Sequence, residues 1–195
     1  MKNRPILFNG PMVRALLNGS KTQTRRIYKS KNGGLQPRAN DLPGMRQVLR
    51  ECPHGQPGER LWVRETFCHK WDHERGYLDE YWYRASTPDV DHVDGGEKSP
   101  WMPSIHMPRV ASRITLEITG VRVERLQDIS DADAWAEGID SAEALSMGCT
   151  TGAARAAYSA LWERINGADS WDANPWVWVV EFRQIEAATS AAVSR

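Results

Sequence analysis

A chain of 195 residues with 41% hydrophobic and 26% charged side chains has room for one well-buried core and reads as a globular protein. No stretch approaches the roughly 20 apolar residues of a membrane span, and Met1-Lys2-Asn3-Arg4-Pro5 leads into no signal-peptide core. A membrane partner is therefore not expected. Three cysteines without a disulfide-like framework fit a reducing, cytoplasmic compartment.

The formal net charge of zero hides a strong asymmetry. Residues 1–50 hold eleven Lys or Arg and a single acid, Asp41, so that segment is +10 and the remainder −10. Segregation of this kind reopens the case for a polyanionic partner that the net charge alone would close.

In chain order, Pro11–Asn18 is expected to be a short helix, with Met12, Leu16 and Leu17 at helical spacing and Gly19 as its stop. Thr22–Tyr28 reads as a strand, with Thr22, Thr24 and Arg26 on one face and Gln23, Arg25 and Ile27 on the other; Lys21 then lies in the turn before it. Lys29–Gly58, rich in Gly, Pro and Asn, reads as mostly loop. Arg60–Glu65 and Tyr81–Ala85 read as strands, and the polar stretch Ser86–Met102 as an exposed loop.

The longest strand signal is Ala111–Leu126. Apolar residues fall on even positions at Ile114, Leu116 and Ile118, then on odd ones at Val121 and Val123. Gly120 sits at the phase change, which predicts a bulge where a sheet bends toward a barrel. Ser130 opens a helix with acids in its first turn and Gly138 near its end. Ala154–Ile165 is a second helix there, and Trp176–Phe182 a closing strand. Nine tryptophans stand in the chain, four of them (Trp162, Trp171, Trp176, Trp178) within seventeen residues; core burial is the expected role of each, with base stacking as the rival. The sum is an α+β domain over residues 1–186 with a curved, mixed or antiparallel sheet and about three flanking helices, followed by a flexible tail at 187–195.

Cys52, His54, Cys68 and His69 invite a zinc reading, but C-x-H, thirteen residues and an adjacent C-H pair do not match the usual chelating spacing. No metal and no cofactor are assigned. The stretch Gly19-Ser20-Lys21-Thr22-Gln23-Thr24-Arg25-Arg26 concentrates an amine, hydroxyls and guanidiniums directly after a helix. By residue type alone, Lys21, Arg25 and the later Glu137 are ordinarily solvated.

The helix ending in Gly-x-Lys-Thr-x-Thr-x-Arg, the Pro-Gly-Glu-Arg-Leu-Trp-Val-Arg-Glu strand at 57–65 and the closing aromatic strand resemble the ASCH domain of the PUA-like superfamily. Ile105–Arg109, Ala111–Ile118 and Trp171–Trp178 resemble, more narrowly, the larger ASCH-like proteins of tailed phages and prophages. The resemblance implies a PUA-like pseudo-barrel with an insertion at about 66–110, and RNA or a modified nucleoside as partner. It further implies an amidohydrolase acting on N4-acetylcytidine-type substrates, in which Thr24 is the nucleophile, Lys21 its activator and Glu137 the completing acid. Arg25 and Arg26, with Lys29 and Lys31, could contact phosphates. Arg64 and Glu65 are expected to reach the same cavity, Glu65 as the reserve acid. Two other readings stand beside it: a non-catalytic RNA-binding module, and a phage accessory or morphogenesis protein that binds a protein partner through the 86–102 loop.

Overall fold

In the computed structural model, which describes residues 2–29, 42–72, 74, 76–87, 93–94, 97–98, 101–146 and 152–185, strand β1 (Asn3–Leu7) leads into helix α1 (Gly10–Leu17). Asn9 caps that helix by accepting the Met12 amide at 3.0 Å, with proline in the first turn where its missing N–H costs nothing. The buried stripe is Val13, Ala15 and Leu16, whereas Leu17 is exposed. Strand β2 (Gln23–Ile27) follows. The expected loop at 29–58 contains helix α2 (Leu42–Arg50), a correction with a clear reason: Pro43 falls in a first turn, and Val48 is driven into the core.

Strand β3 (Arg60–Arg64) precedes a hairpin of β4 (Phe67–Asp72) and β5 (Gly76–Tyr83), longer than the Tyr81–Ala85 strand expected. Val93–Asp94 and Glu97–Lys98 form a second, two-residue pair, β6 and β7. Much of the expected 86–102 loop lies outside the described residues, as does the 187–195 tail. Strand β8 (Thr115–Arg125), helices α3 (Asp131–Ala136), α4 (Ser141–Ser146) and α5 (Ala153–Asn166), and strand β9 (Trp176–Ile185) complete the chain. The described residues thus hold five α-helices rather than about three.

The fold is α+β. Five strands make one mixed sheet in the order β1-β3-β8-β9-β2, with β1 parallel to β3 and the other pairs antiparallel. The register of β8 on β9 shifts between Ile118 and Gly120, where the alternation of the sequence changes phase. A Cβ on Gly120 would stand 2.4 Å from the Glu181 carboxylate oxygen, so a side chain there would displace the glutamate side chain that faces it. The sheet curls until its two edges approach: Arg26 of β2 donates from Nη2 to the Leu7 carbonyl of β1 at 2.6 Å. Inside the curl lie Ile6, Phe8, Leu61, Val63, Leu116, Ile118, Trp178 and Phe182. A second core on the outer side joins Val177 and Val179 to Ala134, Tyr158 and Trp162 of α3 and α5. Trp162 and Trp178 are core residues, while Trp135 is exposed.

His54, in the turn after α2, is held neutral. Burial first, then the charges of Arg26 and Arg4, push its pKa from 6.5 down to about 4. A depressed native pKa means that the unfolded chain binds the proton first as pH falls. Stability is therefore complete above pH 6.5 and declines toward pH 4, by an amount on the order of 2–3 kcal/mol. Urea unfolding at pH 7 and pH 4.5 should show this decline in the wild type and less of it in His54→Gln; equal declines would remove His54 as its source.

Candidate active site

Residues 20–22 leave α1 and lie alongside the end of α3. Lys21 N donates to Ala15 O at 2.9 Å, Thr22 N donates to Ala136 O at 2.8 Å, and Lys21 forms an isolated antiparallel bridge with Glu137. Gly138 makes that approach feasible. Its φ is +83°, and a Cβ there would lie 2.7 Å from Ala15 Cβ and 2.9 Å from Lys21 Cβ. Ser130 caps α3 by accepting the Asp133 amide, and the helix ends on Glu137 as its C-cap, which aims the carboxylate at the free edge of β2.

Lys21, Arg25 and Glu137 are not solvated: their exposures are 3%, 4% and 6%. Lys21 Nζ donates to the Glu137 carbonyl at 2.8 Å and to its Oε2 at 2.9 Å. Arg25 Nη1 donates to Glu137 Oε1 at 3.0 Å, so one carboxylate bridges two buried cations. The rest of the Arg25 guanidinium is taken by Glu124 Oε1, at 2.5 Å from Nη2, and by Asp133 Oδ2 at 3.4 Å. Arg122 extends the network to Glu124, Asp133 and Glu181. Burial alone would raise the Asp133 carboxyl, but Arg122 and Arg25 outweigh it and hold it below the ordinary range.

The lysine itself is poised. Burial lowers its pKa most; Glu137 opposes that, and Arg26 and Arg25 add to it, with a net shift below the ordinary 10.5. Tyr158, whose ring lies 6.0 Å from the Arg25 guanidinium carbon, is pushed well above its ordinary value by burial and by Glu137, so it remains a neutral phenol.

Thr24 is buried on β2 and, with Lys21, Arg26, Glu137 and Tyr158, lines a small cavity of about 70 Å³. A larger groove of about 670 Å³ opens between α1, the 135–141 turn and the end of α5, with Asn9, Ser20, Asp140 and Arg164 on its walls. Met12, Glu137, Leu161 and Ile165 border both spaces, so the inner cavity neighbours the groove. Its volume falls within the roughly 300–1,000 Å³ typical of ligand pockets.

The other expected residues divide between this cavity, which Arg25 and Arg26 also line, and more distant places. Arg25 is enclosed by carboxylates and is not placed to contact a phosphate from solvent. Arg26 is partly buried, over the Phe8 ring and bonded to Leu7 O. Lys29 is exposed, and Lys31 lies outside the described residues. Arg64 and Glu65 do not reach the cavity. Glu65 is buried beside Met107 and takes a bidentate bond from Arg113 at 2.9 and 3.0 Å, while Arg64 bonds to Ile105 O and lies over Trp62. Cys52 is a core residue beside Val48, and among the described residues no three His, Cys, Asp or Glu side chains gather as a metal site.

Sequence reading missed Glu124, Asp133, Arg122 and Tyr158. Asp133 has the pattern of a dipole-compensating first-turn acid, and Glu124 and Arg122 that of the polar side of a strand. A signal was present in the phase change at Gly120, which turns positions 122 and 124 to the outer face.

No family model matches this chain, and no curated protein does. Among solved structures, an ASCH domain from Lactobacillus crispatus matches at 12% identity with a TM-score of 0.40, covering 94% of this chain and 79% of that one. A protein from Enterococcus faecalis described under the family DUF984 matches at 10% identity with a TM-score of 0.39, covering 100% and 86%. No helix among the described residues is long and apolar enough to cross a membrane.

Proposed function

We propose that the chain is an amidohydrolase of the ASCH type that takes an N4-acylated cytidine, free or within RNA, in the groove beside Glu137. The observation that supports this most is the gathering of a buried lysine of lowered pKa, a buried threonine and a carboxylate around a small cavity that shares Glu137 with a ligand-sized groove. A solvated Lys21 would retain its proton and leave Thr24 inert.

In the proposed reaction, neutral Lys21 takes the Thr24 hydroxyl proton as Oγ1 bonds to the acyl carbon and the carbonyl electron pair moves onto oxygen. Collapse of that intermediate breaks the C–N4 bond. The cytidine amine leaves with the proton held by Lys21, relayed along Glu137. Water then cleaves the threonine ester with Lys21 again as base, releasing the carboxylic acid and restoring the hydroxyl. Glu137 holds the transient ammonium, Arg25 fixes the carboxylate, and Arg26 supplies positive charge on the cavity wall.

Purified protein incubated with N4-acetylcytidine should release cytidine and acetate, followed by chromatography. The rate should rise with pH along a limb set by Lys21 and lying below the ordinary lysine value of 10.5. Glu137 raises that pKa, so Glu137→Gln should move the limb to lower pH while reducing the maximum. No cytidine from a panel of N4-acylated cytidines would sink the proposal.

A further inference from the structure

The outer face of the curled sheet is divided. One half is covered by α3 and α5 through Val177 and Val179. The other half, formed by β1, β3 and the adjoining parts of β8 and β9, turns its alternate residues outward, and the register aligns them in rows. Asn3, Arg60, Glu117 and Arg183 form one row; Pro5, Trp62, Thr115 and Ile185 form the next; Leu7 and Arg64 lie beyond. Trp62 is at its centre. The guanidinium carbons of Arg64 and Arg109 lie 5.4 and 5.9 Å from its ring centroid.

Both arginines are tethered. Arg64 Nη2 donates to Ile105 O, and Arg109 Nη2 donates to Thr115 Oγ1 at 3.3 Å. Arg64 Nε is enclosed with no acceptor among the described residues. Arg60, Arg109 and Arg183 are exposed around the ring, and Glu117 in the first row is already paired with Arg183 at 3.1 Å. The face is therefore cationic and carries planar groups that can stack.

We propose that this face is a track for single-stranded RNA, with Trp62, Arg64 and Arg109 as its base-stacking centre and Arg60 as a phosphate contact. The choice of RNA rests on the proposed ribonucleoside chemistry of the groove. Charge and stacking together distinguish it from an acidic protein, which would use the guanidiniums but not the planar ring. Single strands are held by this pairing of aromatic or guanidinium planes under the bases with positive charge along the backbone. The track lies apart from the groove, so strand binding and nucleoside hydrolysis are separable.

The test is fluorescence anisotropy of a labelled single-stranded RNA 12-mer across a salt series, with free N4-acetylcytidine turnover measured alongside. Trp62→Ala should weaken RNA binding by about 10–100-fold, in line with base stacking on one aromatic. Arg109→Glu, an exposed change that spares the core, should weaken it and reduce the salt slope. Wild-type RNA affinity retained in both face variants overturns the track. Absence of RNA binding with nucleoside turnover intact also overturns it and leaves the proposed function standing. RNA binding lost in the face variants without any turnover supports the track and removes the hydrolase.

Discussion

Glu137→Ala is expected to cost about 3–5 kcal/mol of stability, the range for removing one member of a buried ion pair while its partners stay behind. Two cations lose the same carboxylate. Arg25 keeps Glu124 and Asp133, but among the described residues Lys21 keeps the Glu137 backbone carbonyl, at 2.8 Å, and the Phe8 ring, in a site of 3% exposure. Its ammonium must then shed a proton or admit water, and either response costs free energy. Thermal or urea unfolding measures the effect, expected as a fall in Tm on the order of 6–20 °C for a chain of this size. A variant within about 1 kcal/mol of wild type would mean that the carboxylate does not hold the two cations in solution.

The second large effect is on chemistry, and it separates from stability. Lys21→Met keeps an unbranched stem of similar length and removes the amine. Glu137 is not stranded, because Arg25 Nη1 still donates to its Oε1 at 3.0 Å. Because Arg25 still compensates the Glu137 carboxylate, the loss of stability should stay below the roughly 3–5 kcal/mol expected when a buried charge is left unpaired. Turnover of N4-acetylcytidine should nevertheless fall by about 10²–10⁴-fold, the typical contribution of a positioned general base. A folded Lys21→Met protein with undiminished turnover would take Lys21 out of the mechanism. The contrast between the two substitutions is itself informative, since they remove opposite ends of one 2.9 Å ion pair.

Much of the frame is legible in the chain alone. Alternation marks β8 and β9, the Ser130 cap marks α3, and Gly120 marks the bulge, because each is a local property of backbone and side-chain periodicity. Helix α2 is not legible, since its Gly and Pro content outweighs a single buried contact at Val48 that exists only after folding. Arg64 and Glu65 illustrate the same limit. Adjacent on one strand end, they part company in space, one toward Trp62 on the outer face and the other toward Arg113 and Met107.

The supply of groups can be read along the chain: a lysine, two threonines and two arginines at the start of a strand, and a glutamate seven residues beyond a helix cap. Their state was set by folding. Lys21 and Glu137 are 116 residues apart and meet because the end of α3 lies against residues 20–22 across a glycine. That approach excludes water from both, and desolvation rather than residue type sets whether a lysine is a surface cation or a base. The fate of Arg25 was decided in the same way. Its charge was plain from the sequence, but the three carboxylates that enclose it come from β8, α3 and the α3 cap, which the curl of the sheet alone brings to one point.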